Sequence, residues 1–149
     1  MEMAATRTAD VTWMGDLATG SGVVEGVGSG AFGTLPVSWA ARTEAPEGRT
    51  SPEELLAAAH AACFSMALSA GLARAGTPPT QLAVSAAVTF DKREDGWRVV
   101  SSALTVRGTV PGASQETFAA AADAARTGCP ISKALAGNVE LSVQATLEG

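Results

Sequence analysis

Thr50-Ser51-Pro52-Glu53-Glu54-Leu55-Leu56-Ala57-Ala58-Ala59-His60-Ala61-Ala62-Cys63-Phe64-Ser65-Met66-Ala67-Leu68 reads as the opening of one long helix. Ser51 suits the cap and Pro52 the first helical position. Glu54 falls where a capping-box carboxylate reaches back to the Ser51 amide. Glu53 and Glu54 both suit the positive end of the helix dipole. The stop is expected at Gly76, with Pro78 and Pro79 close behind. Roughly 24 residues at ~1.5 Å rise give an element about 36 Å long, enough to organise a small domain.

This helix has no polar face. From Leu55 to Ala73 the chain carries no charge, and small residues stand on all sides. Such a helix is buried all round, in a protein core or in a membrane. The alanine content, the central His60 and the lack of an aromatic or basic belt favour the core. In its middle sits Cys63, either a small apolar filler or a chemical group.

At 149 residues, 46% of them hydrophobic, the chain is expected to form a single domain over residues 1–149. A net charge of -5 without a basic cluster argues against a nucleic-acid partner. The polar segment Met1 to Asp10 lacks an apolar signal region, which places the expected protein in the cytoplasm, among reduced thiols. One His and two Cys make no convincing zinc set within one chain.

Ahead of the helix, Ala9 to Gly15 and Ser21 to Val27 read as strands around a turn at Asp16 to Gly20, and Leu35 to Ala41 as a third strand ending at Arg42. Gly28-Ser29-Gly30-Ala31-Phe32-Gly33 matches a dinucleotide-binding pattern, but extended chain follows it where a helix would have to begin. It reads as a hairpin loop. Beyond Pro79, Leu82 to Phe90 and Trp97 to Val110 form an expected hairpin about Arg93-Glu94-Asp95-Gly96. Ser114 caps a helix to about Arg126, a short helix follows Pro130, and Val139 to Thr146 alternate as a last strand. Hairpin-connected strands with helices set apart predict an α+β fold with antiparallel sheets. Trp13, Trp39 and Trp97 sit in strand patterns and read as core or interface packing.

Gly128-Cys129-Pro130-Ile131-Ser132-Lys133 places the second cysteine where Pro130 opens a helix. There, free amides and the dipole favour a thiolate, with Lys133 in the next turn; alternatively the motif is only a tight corner. Together, Cys63 and Cys129 suggest a pair that cycles between dithiol and disulfide.

The residues from Ser51 to Leu68 quoted above, with Gly128-Cys129-Pro130-Ile131-Ser132, resemble the OsmC/Ohr family of thiol-dependent hydroperoxide reductases. Trp13-Met14-Gly15-Asp16-Leu17 resembles its OsmC branch. The resemblance implies an intertwined homodimer whose antiparallel sheets wrap around long central cysteine-bearing helices, with two active sites at the interface. It implies reduction of organic hydroperoxides, and more weakly of H2O2. Cys63 would be the peroxidatic cysteine and Cys129 the resolving one, closing an intrachain disulfide. Glu53 matches the family's glutamate and Arg42 its arginine; the loop is one residue longer than expected, so Arg49 offers a second guanidinium. Ser51 stands where the family carries Asn. A dithiol reductant of the lipoyl type is implied, with no metal or organic cofactor.

The chemistry suits these residue types. A peroxidatic thiol in an apolar site needs a cation to favour its ionised form, and an arginine fork also holds peroxide oxygens. A glutamate would orient that arginine by a bidentate pair. Leu56, Phe64 and Met66 are expected to wall the site for an alkyl or aryl substrate. Glu53 and Cys63 lie about 15 Å apart along one helix and cannot share a site in cis. Two such helices packed antiparallel about a two-fold axis near Ala58 would bring Glu53 of one chain level with Cys63 of the other. His60, three residues before Cys63, is either a base for that thiol or a hydrogen-bonded core histidine, and we read it as the latter. A redox-sensing or small-molecule-binding module of the same fold, and a structural dimerisation domain with inert cysteines, remain the rival readings.

Overall fold

The structure, a computed structural model, describes residues 4–149. The chain divides into two compact units, one up to Pro52 and one from Glu53 to Gly149.

The first unit is a small antiparallel sheet in the order β1 (Ala9–Met14), β2 (Ser21–Val27), β3 (Leu35–Val37). Asp16 builds the first turn: its carboxylate accepts from the Thr19 amide at 2.8 Å and hydroxyl at 2.6 Å, and its carbonyl accepts from the Gly20 amide at 2.9 Å. On the sheet, the Trp13 ring lies directly over Gly22, where a Cβ would meet it at 2.6 Å. Gly28 to Gly33 is the loop that joins antiparallel β2 and β3, as expected.

The third strand is shorter than its sequence pattern. It ends at Val37, and residues Trp39–Thr43 form a short helix, α1. Ser38 causes the switch, because its hydroxyl accepts from the Ala41 amide at 3.1 Å and caps the turn that Trp39-Ala40-Ala41-Arg42 completes.

The long helix, α2 (Pro52–Arg74), starts the second unit and ends as the sequence predicts. Gly76 adopts φ +88 and donates to the Ala73 carbonyl at 3.0 Å, and Thr77 donates to the Leu72 carbonyl at 2.9 Å. These two bonds close a glycine-terminated helix end. By length and composition α2 is apolar enough to cross a membrane. Its buried stripe, His60, Phe64, Leu68 and Leu72 at four-residue spacing, instead enters a protein core. Contrary to the expectation of burial all round, Ala58, Ala62, Met66 and Ala70 stand exposed in this chain.

That core is completed by β4 (Gln81–Arg93), β5 (Gly96–Thr109), α3 (Gln115–Gly128), α4 (Pro130–Leu135) and β6 (Glu140–Leu147). β5 is the central strand of the order β4-β5-β6, and Leu104, Val106 and Val110 lie fully or almost fully buried against Phe118, Ala122 and Ala125 of α3. Gly108 lets α3 approach β5, since a Cβ there would meet the Phe118 ring at 2.5 Å. The sheet is not all antiparallel. β6 pairs parallel to β5, from Ser101 opposite Glu140 to Gly108 opposite Leu147. The helical crossover through α3 and α4 returns the chain to the end from which β5 set out, which a parallel pair requires.

Candidate active site

Cys129 occupies a corner that the local sequence dictates. Pro130 disfavours helical geometry in the residue before it. Cys129 is accordingly extended at φ -66, ψ 139, ending α3 and capping α4 in the same position. Its backbone amide donates to the Ala125 carbonyl at 2.9 Å, while its sulfur accepts from the Ser132 amide at 3.3 Å. The side chain is fully buried.

Cys63 is half-buried on α2 and packs against the core that contains Cys129. Burial pushes its thiol above the ordinary value of 9.0. The backbone N–H of Ile131 works against that rise, and the neighbouring Cys129 side chain adds to it. The opening turn of α4 thus adjoins both sulfurs: the Ser132 amide donates to Cys129, and Ile131 stands beside Cys63. Sixty-six residues apart in sequence, the two free thiols are neighbours.

His60 does not serve Cys63. It is fully buried, with Nδ1 2.6 Å from the Ser102 hydroxyl and Nε2 2.8 Å from the Ser132 hydroxyl. Burial holds its imidazole below the ordinary 6.5 and so neutral at pH 7. The Cys129 thiol donates to the Ser132 hydroxyl at 3.2 Å. Ser102 and Ser132 thus join the site without having been predicted; the only sequence signal was Ser132, one helical turn beyond Cys129.

Arg42 and Arg49 belong to the first unit and Glu53 to the second. Arg42 is on α1 of the first unit, its guanidinium 5.6 Å from the centre of the Trp39 ring. Arg49 follows a tight turn in which Glu47 and Gly48 take positive φ, and its amide donates to the Pro46 carbonyl at 2.9 Å. Glu53 is buried in the first turn of α2, ten positions before Cys63 on the same continuous helix. Of the three expected walls, Phe64 is fully buried in the core with the stripe that packs against β5 and α3. Leu56 is half-buried and Met66 is 71% exposed. Among the described residues, no cluster of His, Cys, Asp and Glu could hold a metal ion.

Known proteins are similar to this chain in sequence and fold. The chain is 41% identical over 132 residues to Peroxiredoxin OsmC of Escherichia coli (strain K12), covering 89% of this chain and 91% of that one. It is 33% identical over 105 residues to the organic hydroperoxide resistance protein OhrA of Bacillus subtilis (strain 168), covering 69% and 72%. The crystal structure of OhrB of Bacillus subtilis superposes with a TM-score of 0.72 at 27% identity, over 93% of this chain and 98% of that one. A family model described as OsmC-like protein matches residues 45–144, and the chain belongs to the OsmC/Ohr family.

Proposed function

We propose that this protein is a peroxidase that reduces organic hydroperoxides, and more weakly H2O2, through a cycle of its two thiols. Its relatives, a peroxiredoxin and an organic hydroperoxide resistance protein, make it a peroxidase-type enzyme with a hydroperoxide-related redox role. The observation that carries the mechanism is the meeting of Cys63 and Cys129 at the start of α4.

In this reading the Cys63 thiolate attacks the distal peroxide oxygen. The O–O bond breaks, the alkoxide takes a proton and leaves as alcohol, and Cys63 becomes a sulfenic acid. Cys129 then attacks the Cys63 sulfur, the S–S bond forms and the S–O bond breaks, releasing water. A dithiol of the lipoyl type returns the disulfide to two thiols by exchange. Arg42, or Arg49 in its place, would offset the burial that opposes the Cys63 thiolate, and Glu53 would orient that guanidinium.

Glu53 reaches this site from a second chain. About ten residues of helix separate it from its own Cys63, roughly 15 Å along the axis. The exposed stripe of Ala58, Ala62, Met66 and Ala70 gives a second α2 an apolar face of mostly small side chains to approach. We therefore assign a homodimer with two composite sites, each 1–149 chain acting as one OsmC-like domain, in the cytoplasm, where thiols are kept reduced.

The raised Cys63 thiol favours one second reading, a redox-sensing module of the same fold with slow turnover. Peroxide consumption under excess dithiol separates the two. The primary test is a free-thiol count on reduced protein before and after one equivalent of cumene hydroperoxide, with Cys63→Ser and Cys129→Ser alongside. We expect both thiols to be lost to an intrachain disulfide, none to form in Cys63→Ser, and over-oxidation of Cys63 in Cys129→Ser. Thiols that survive for minutes would reduce both cysteines to packing residues.

A further inference from the structure

Three groups that no step above uses, Ser132, His60 and Ser102, continue one unbroken buried line from Cys129. Cys129, Ser132, His60 and Ser102 are each fully buried. The Cys129 thiol meets the Ser132 hydroxyl at 3.2 Å, that hydroxyl meets His60 Nε2 at 2.8 Å, and His60 Nδ1 meets the Ser102 hydroxyl at 2.6 Å. The line draws on four separate elements: Cys129 at the α3–α4 joint, Ser132 on α4, His60 on α2 and Ser102 on β5.

We propose that Ser132 is a catalytic residue of the resolving step and His60 the positioning residue behind it, together taking the thiol proton from Cys129 as its sulfur attacks. The proposal rests on the two-cysteine cycle above. A sulfur with no exposed surface cannot hand its proton to bulk water, so the proton must leave through a neighbour. The Ser132 hydroxyl is that neighbour. Because it accepts from the thiol, its own hydrogen finds an acceptor only at Nε2, which fixes the imidazole with its remaining hydrogen on Nδ1, donated to Ser102. Nε2 then carries a lone pair aimed along the line. The neutral state of the imidazole keeps that lone pair available.

The step balances. The Cys129 S–H proton passes to the Ser132 oxygen as the Ser132 hydrogen passes to Nε2. The Cys129 sulfur bonds to the Cys63 sulfur, and the S–O bond of the sulfenic acid breaks. The proton on His60 then passes back through the Ser132 hydroxyl to the hydroxide released from Cys63 beside Cys129, making the one water produced and returning His60 to neutral. Meanwhile the Ser132 amide, 3.3 Å from the Cys129 sulfur, donates to the charge developing there. On reduction the same line returns a proton to Cys129 as it leaves the disulfide.

A packing network alone would satisfy these polar groups without favouring either step of the cycle, so the test separates the steps. Reduced full-length protein is mixed with one equivalent of cumene hydroperoxide and quenched at intervals, reading Cys63 sulfenic acid and disulfide separately. In Ser132→Ala, sulfenic acid should form at the parent rate and disulfide roughly a hundredfold more slowly, within the range for loss of a positioned acid–base group. Over-oxidised Cys63 should accumulate, and Ser132→Thr should restore the disulfide rate. His60→Gln, which keeps hydrogen-bonding capacity but cannot accept the proton, should stay slow. The parent protein should also show a solvent deuterium isotope effect on the disulfide phase alone, a readout that needs no variant to fold.

A Ser132→Ala disulfide rate within about twofold of the parent, or a slowing of both phases together, would overturn the relay. So would an absent isotope effect, or full recovery in His60→Gln. If the parent protein forms no disulfide at all, the two-cysteine cycle itself fails and the relay goes with it.

Discussion

His60 shows what burial does to a single titratable group. Its folded value lies below 6.5, with desolvation the cause. Between the folded and unfolded values the unfolded chain binds a proton that the folded chain refuses. The stability from a neutral His60 is therefore fully present above about pH 6.5 and is lost as pH falls toward the folded value. Urea unfolding at about pH 7.5 and about pH 5.5 should show a larger loss in the parent than in His60→Gln, the carboxylates titrating alike in both. Ser102→Ala strands the Nδ1 hydrogen in the core and should cost about 1–3 kcal/mol in the same measurement. The sequence marked His60 as a core residue and both cysteines as chemical candidates, because each sits in a telling local context. It could not show that His60 meets Ser102 and Ser132, 42 and 72 residues away, or that the cysteines meet each other. Those meetings are made by tertiary packing, to which local pattern is blind.

At the scale of elements, local rules predicted most boundaries and failed where two of them competed. Leu35 to Ala41 alternates like a strand, yet Ser38 offers the chain a helix cap and takes it out of the sheet. The direction of β6 was also hidden, since alternation marks a strand but not which way it runs beside its neighbour. Two glycines carry predictions here. Gly108→Ala drives a Cβ into the Phe118 ring and should lower unfolding free energy by about 1–3 kcal/mol. Gly76→Ala meets open space but must hold φ +88, and should cost about 1 kcal/mol by the same denaturant titration.

For the whole molecule, the decisive prediction concerns which chain supplies Glu53. Glu53→Gln and Cys63→Ser each damage every site when expressed alone. Mixed as unfolded chains and refolded together, they form heterodimers in which one composite site pairs an intact Cys63 with an intact Glu53. Random pairing should restore about a quarter of parental peroxidase activity per chain, whereas a site built within one chain would restore none. A monomer with full activity would equally remove the composite site. The α+β class, the long helix and the family were legible because they rest on periodicity, caps and motif. The association rests on the family resemblance and on a geometric conflict, one glutamate and one cysteine too far apart on a single helix.

The parallel pairing of β6 has a consequence for how this protein is made. β5 is the middle strand of its sheet, but the partner on its second edge follows only after α3 and α4 have been added to the chain. Two further hydrogen bonds, from the Glu148 amide to the Gly108 carbonyl and from the Val110 amide to the Gly149 carbonyl, both at 2.8 Å, extend that edge past β6. A nascent chain therefore carries an open strand edge on β5 until β6 has emerged, with the thiol corner at Cys129 already made but its sheet unfinished. A chain arrested before β6 would keep that edge open and be prone to pair with its neighbours.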